Sequence, residues 1–99
     1  MAIEARLQTK IVKLLKSEGF WVMVLSPNSG VPDGHPDVIG LKNGYYVAIE
    51  VKASENAEKQ PLQQYTIDLL KNHGGFAYFV WPDNWPDIEA RIKAMSSAI

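Results

Sequence analysis

Hydrophobic residues near the amino terminus recur every three or four positions, which is the spacing of one face of an α-helix. This pattern predicts a first helix over residues 2–16, and Gly19 follows it as a natural stop. A second helix is predicted from Pro61, because proline is favoured in a first helical turn, to about Asn72. A third helix is indicated by the spacing of Ile88, Ile92 and Met95.

Short runs rich in β-branched and aromatic residues lie between these helices. They predict strands over residues 20–25, 37–41, 45–52 and 76–81. A helix precedes the fourth strand, and such a connection favours parallel pairing of this strand with the second or the third. We therefore expect an α/β fold in the order α-β-β-β-α-β-α, with a mixed four-stranded sheet flanked by helices.

The second and third predicted strands flank Asn43-Gly44, the strongest short-range signal for a β-hairpin. If these two residues form the turn, counting outward along both strands places Asp37 directly opposite Glu50. Their Cβ atoms would then be roughly 4.5–5.5 Å apart. Alternation along the strand places Lys52 on the same face as Glu50. The sequence thus predicts two acids and a base side by side.

Two carboxylates at this spacing repel each other, and a divalent cation would offset the repulsion. For phosphodiester cleavage, such a cation would polarise a phosphoryl oxygen and lower the pKa of a bound water. Lys52 would orient or deprotonate that water and offset the developing negative charge. The alternative is a surface hairpin in which Asp37 caps a turn while Glu50 and Lys52 are solvated charges.

Two polar residues fall on the apolar faces of predicted helices. Glu4 projects within the apolar arc of the first helix, where it could join the metal site directly or through water, or fray into solvent. Gln63 lies on the apolar side of the second helix, whereas Gln64 points to the polar side. Gln63 is a candidate for a substrate or water contact, or for capping the first turn of its helix.

The amino-acid composition limits the number of domains and the kinds of metal site that the chain could form. The 99 residues suit one domain, and 46% hydrophobic with 21% charged residues is ordinary globular composition. The absence of cysteine excludes disulfides and thiolate-held metals, so any metal would be held mainly by oxygen. No apolar run approaches the ~20 residues of a membrane span, and we expect a cytoplasmic protein.

A net charge of −1 counts against binding nucleic acid by bulk electrostatics. Local positive potential could still come from Lys10, Lys13 and Lys16 on one face of the first helix, which are otherwise an ordinary solvated surface. Three tryptophans exceed what so small a core needs, and they serve either core and lid packing or an oligomer interface.

The residues resemble the PD-(D/E)XK nuclease superfamily, in which a Pro-Asp pair and a hairpin precede a Glu-X-Lys motif. Across nearly the whole chain, they resemble its VRR-NUC group. The matching features are Glu4 and Gln8, the Asn28-Ser29-Gly30 loop, Gly34-His35-Pro36-Asp37, Glu50-Val51-Lys52, and Gln63 ahead of Leu69-Leu70 and Gly74-Gly75. A second pair, Pro32-Asp33, competes for the motif, but only Asp37 starts a strand that faces Glu50.

This resemblance implies a restriction-endonuclease-like fold and dependence on Mg²⁺ or Mn²⁺. It implies metal ligation by Asp37, Glu50 and the Val51 carbonyl, assisted by Glu4. It also implies that Lys52 acts in catalysis and that Gln63 supports the site.

Short members of the group are similar to Holliday junction resolvases and act as homodimers, often in phages or their hosts. The resemblance therefore implies a DNA endonuclease acting on branched DNA. Two alternatives stay open: a non-catalytic DNA-binding or assembly module of the same fold, and a nuclease for flaps, nicked duplex or single strands.

Overall fold

The computed structural model describes residues 2–26 and 30–99. Within these ranges, three helices and four strands follow one another in the predicted order. They are α1 (Ile3–Ser17), β1 (Trp21–Val24), β2 (Val38–Lys42), β3 (Tyr45–Val51), α2 (Pro61–Asn72), β4 (Phe76–Val80) and α3 (Trp85–Ala98). The predicted bounds of α2 match, and the other elements shift by a residue or two at their ends. α3 begins earlier than its apolar spacing indicated, because Trp85 and Pro86 form its first turn.

The sheet has the order β1-β2-β3-β4. β1, β2 and β3 are antiparallel, and β4 runs parallel to β3 after the α2 crossover. The predicted mixed sheet is confirmed, and of the two partners expected for the fourth strand, the parallel one is β3. The carboxyl ends of β3 and β4 consequently lie at the same edge of the sheet.

The β2–β3 hairpin has the predicted register, from Lys42 opposite Tyr45 to Val38 opposite Ile49. Its turn residues have positive φ angles, 49° at Asn43 and 85° at Gly44. A two-residue turn with both φ angles positive matches the twist of the flanking strands, and asparagine and glycine tolerate it best. The turn therefore fixes which residues pair along the whole hairpin, up to its open end.

The two faces of the sheet pack against different helices. Leu7, Ile11 and Leu15 of α1 join the main core with Ile88 and Ile92 of α3. Alternate β3 residues, Val47, Ile49 and Val51, complete this core. On the other face, Ile67 of α2 packs with Ala48, Ala77 and Phe79. The predicted alternation of β3 is confirmed, and the even-numbered residues lie on the α2 side.

A polar contact joins the helices at the hairpin-turn end of the sheet. The Lys42 ammonium donates to the Ser96 hydroxyl at 2.6 Å and to the Ser96 carbonyl at 3.2 Å. The buried Ser96 hydroxyl donates in turn to the Glu18 carbonyl at 2.9 Å. This contact ties the carboxyl ends of α1 and α3 to β2, at the end of the sheet opposite Glu50.

The tryptophans divide between core and surface. Trp85 is buried in the main core, and Trp81 packs beside the smaller cluster. Trp21 on the edge strand β1 is 56% exposed. Core packing accounts for two of the three tryptophans.

No helix among residues 2–26 and 30–99 is long and apolar enough to cross a membrane.

Candidate active site

Asp37 lies just before β2, one residue beyond the last ladder pair. Its N–H donates to the Ile49 carbonyl at 3.0 Å, and its carbonyl accepts the Leu25 N–H at 2.9 Å. Its Oδ2 accepts the Val51 N–H at 2.7 Å. The carboxylate is thus anchored at the carboxyl end of β3, with one oxygen bound to the backbone.

Glu50 lies beside Asp37 as the hairpin register predicted, and its side chain is buried. Burial, the negative charge of Asp37 and a hydrogen bond with that residue raise the pKa of Glu50 to about 8. Lys52 opposes this increase, and Glu4 adds to it. A carboxyl with this pKa retains its proton to higher pH than an ordinary glutamate.

Gln63 of α2 connects the acidic and basic parts of the site. Its Oε1 accepts the Lys52 Nζ–H at 2.9 Å and the Gln60 N–H at 3.1 Å. Its Nε2 donates to Glu50 Oε1 at 3.2 Å. Both Oε1 partners are donors only, which fixes the amide orientation. Gln63 therefore has the predicted capping role and also contacts Lys52 and Glu50, while its contact with substrate or water stays a prediction.

Lys52 extends the parallel pairing beyond β3, since its N–H donates to the Val80 carbonyl at 2.8 Å. Its side chain lies on the α2 side with Glu50, and Gln63 holds its ammonium group. The predicted convergence of Asp37, Glu50 and Lys52 on one side of the sheet is therefore present, with Gln63 added to it.

Glu4 is exposed, contrary to its expected position on the core face of α1. The helical projection gives its direction correctly, but the core begins one turn later, at Leu7. Glu4 still raises the pKa of Glu50 through its charge. Its role as a metal ligand stays a prediction.

Two other motif residues, Asp33 and His35, lie in the loop before β2. Asp33 is exposed and lines a cavity of about 370 Å³ at the start of α2, with Gly34, Leu62 and Gln63. His35 is half-buried, with Nδ1 2.9 Å from the Pro36 carbonyl. These positions favour Asp37 over Asp33 as the motif aspartate. The part of the loop at residues 27–29, including Asn28-Ser29, lies outside the described residues.

The donor chemistry suits a hard divalent cation. Magnesium is commonly held by one or two carboxylates together with water and phosphate oxygens. Asp37 and Glu50 supply two neighbouring carboxyl groups, and the positive charge of a cation would offset the repulsion that raises the pKa of Glu50. Within the described ranges there is no cluster of three or more histidine, aspartate or glutamate residues with metal-binding geometry. The two acids are thus the primary candidate ligands.

A lysine that the sequence pattern did not single out packs against two aromatic rings beside the site. The Lys59 ammonium lies 5.4 Å from the centre of the Phe79 ring and 5.7 Å from that of Trp81. These contacts depend on β4 lying next to β3 and on the path of the loop before α2. No local pattern in the sequence indicates them.

The mixed sheet, its flanking helices and the acid pair at the end of the hairpin define a restriction-endonuclease-like nuclease fold. The family of archaeal Holliday junction resolvases (Hjc) matches residues 4–81, and the chain belongs to this family. The match includes every candidate site residue from Glu4 to Gln63.

A solved structure described as "VRR_NUC domain" has a TM-score of 0.68 and 26% sequence identity to this chain. The similarity covers 82% of this chain and 86% of the other. The predicted relationship to VRR-NUC nucleases is thereby confirmed. Among curated proteins, the chain has no match.

Proposed function

We propose that this protein is a metal-dependent endonuclease that hydrolyses phosphodiester bonds in branched DNA, with four-way junctions as the preferred substrate. The observation that carries the proposal is the cluster of Asp37, Glu50, Lys52 and Gln63, connected by hydrogen bonds at one end of the sheet. Membership of the resolvase family supports junction DNA as the substrate class.

Asp37 and Glu50 would hold Mg²⁺ or Mn²⁺, with the Val51 carbonyl and Glu4 as further proposed ligands. When bound, the ion would polarise a phosphoryl oxygen and lower the pKa of a water molecule. The Val51 N–H keeps one Asp37 oxygen in place, so the carboxylate would be positioned to bind the ion. Glu50 must lose its proton before it can bind a cation.

Lys52 would contact the scissile phosphate and offset the negative charge that grows on it during hydrolysis. It can also orient the attacking water. Gln63 limits the positions open to the Lys52 ammonium, because the same amide oxygen is also fixed by the Gln60 N–H. A preorganised ammonium requires less rearrangement as the reaction proceeds.

The direct test uses labelled four-way junctions, flaps, nicked duplex, linear duplex and single strands, each with Mg²⁺, Mn²⁺, Ca²⁺ or a chelator. We expect paired symmetric nicks in junction strands with Mg²⁺ or Mn²⁺, and binding without cleavage in Ca²⁺. Preferential cutting of flaps or nicked duplex would change the substrate. Junction binding with no cleavage under any metal condition would support the non-catalytic module instead.

We further propose that the protein acts as a homodimer, which would place two sites on one junction. α2 covers the β3–β4 half of its sheet face and leaves apolar side chains of β1 and β2 uncovered. Trp21, Met23 and Leu41 on this half are 56%, 41% and 46% exposed. Trp21 pairs with Leu41, so these side chains form a continuous patch. Burying such a patch against a second copy would be favourable.

Light scattering at micromolar concentration should give about twice the chain mass of 11.1 kDa. Trp21→Glu should give the monomer mass, because dimerisation would then bury an unpaired charge. Tyr45→Glu is the matched control, since Tyr45 is 49% exposed on the other face of the sheet. A monomer mass for the unsubstituted protein, both alone and with junction DNA, would rule out the dimer.

A further inference from the structure

Lys59 lies two residues before the start of α2, in the segment that connects Lys52 to Gln63. The next residue is Gln60, whose N–H is bound by Gln63. The position of Lys59 is thus tied to the same helix start that holds the Lys52 ammonium. This arrangement places a second lysine at the border of the proposed active site.

Two aromatic rings and a carbonyl hold the Lys59 side chain. Its Nζ lies 5.4 Å from the Phe79 ring centre and 5.7 Å from that of Trp81, distances at which ammonium and ring attract. The same group donates to the Glu55 carbonyl at 3.0 Å. Lys59 is half-buried, whereas a typical surface lysine extends into water.

These rings place the ammonium on the β4 side of the acid pair. Phe79 is the β4 partner of Glu50, and both lie on the α2 side of the sheet. Trp81 follows Val80, whose carbonyl accepts the Lys52 N–H. Adjacent strands are about 4.8 Å apart, so the rings lie one strand away from the proposed metal ligands.

The positive charge of Lys59 has no ion-pair partner within residues 2–26 and 30–99. The ion pair found there joins Lys93 to Glu89 on α3. An ammonium group has three N–H donors, and one of them binds the Glu55 carbonyl. The other two remain available to a ligand with anionic oxygens.

On the basis of the proposed function, we infer that Lys59 binds the DNA phosphate next to the scissile phosphate, where the cleaved strand passes over β4. The ammonium occupies the Phe79 and Trp81 ring faces that a nucleobase would need for stacking. This border of the site is therefore built to hold the sugar-phosphate backbone. It also supplies local positive charge that the net charge of −1 conceals.

The test measures junction binding in Ca²⁺ by fluorescence anisotropy, from about 50 to about 200 mM salt. Lys59→Met keeps an apolar stem over the rings and removes the charge. We expect it to weaken binding about three- to tenfold at the lowest salt and to reduce the slope of log K against log salt by about 0.9 per bound copy. Lys59→Arg should keep the slope of the unsubstituted protein.

Lys93→Met is the matched control, because Lys93 is an exposed, paired lysine on α3, and it should leave the slope unchanged. With Mg²⁺, Lys93→Met should also leave the single-turnover cleavage rate at saturating DNA unchanged. Thermal unfolding checks the fold. If Lys59→Met lowers the Tm, the same comparison is made between Lys59→Gln and Lys59→Arg.

An unchanged salt slope in the charge-removing variant would overturn the phosphate contact and show that Lys59 only covers the rings. An equal loss in Lys93→Met would overturn it as well, because the effect would then reflect total charge. If the unsubstituted protein binds none of the DNA structures, the proposed function fails and this inference fails with it. Binding and cleavage by the unsubstituted protein distinguish the first two outcomes from the third.

Discussion

Lys52→Ala is expected to lower the single-turnover rate of junction cleavage by about 10²–10³, the typical cost of removing one group that stabilises transition-state charge. The substitution removes the ammonium that Gln63 holds beside Glu50. Junction binding in Ca²⁺ should change much less than the rate, because Lys52 acts mainly on charge that develops during the reaction.

Asp37→Asn should produce a loss at least as large, since the amide is a poor ligand for Mg²⁺ compared with a carboxylate. The asparagine oxygen can still accept the Val51 N–H, so we expect the fold to be retained. Lys93→Ala serves as the control on α3. Cleavage at an unchanged rate in either Lys52→Ala or Asp37→Asn would remove that residue from the mechanism.

Glu50→Gln is expected to stabilise the metal-free protein at pH 8 while abolishing metal-dependent cleavage. The pKa of Glu50 is about 8 in the folded chain, above its ordinary value of 4.5. Protonated Glu50 therefore favours folding, and this contribution is complete below about pH 4.5 and is lost as pH rises through 8. Glutamine carries no charge at any of these pH values.

In the metal-free state, the Tm of the unsubstituted protein should fall between pH 5 and pH 8 more steeply than that of Glu50→Gln. At pH 8 the variant should unfold at a higher temperature than the unsubstituted protein, and each kcal/mol of added stability corresponds to about 4–8 °C for a domain of this size. Mg²⁺ should raise the Tm of the unsubstituted protein at pH 8 and leave the variant unaffected. Glu55→Gln, at an exposed loop position, is the control. Parallel pH profiles for the unsubstituted protein and Glu50→Gln would contradict the assigned pKa.

Much of the site could be predicted because its geometry follows from local rules. Asn43-Gly44 sets a turn with two positive φ angles, and strand alternation carries its register outward to the acid pair. The face of α2 that carries Gln63 follows from helical periodicity in the same way. The hairpin register and the helix face depend only on residues that are close together in the chain, so both can be predicted from one sequence.

Features that depend on distant contacts could not be predicted. Helical periodicity gives the direction of Glu4 but does not show that the core stops at Leu7, so it could not decide between a buried and a solvent-exposed Glu4. The hydrogen bond from the Val51 N–H to Asp37 arises because Asp37 lies beyond the last ladder pair. The Lys59 contacts require the position of β4, which only the folded chain defines.

Gly34 lies where the loop before β2 meets the first turn of α2. Its φ angle is 83°, and a β-carbon there would come within 2.7 Å of the Leu62 carbonyl oxygen. Main chain thus packs directly on main chain beside Gln63. Anyone transplanting the acid pair and its lysine into another scaffold must also reproduce this side-chain-free junction. A graft that preserves every charged group but places alanine there would shift the glutamine away from its partners.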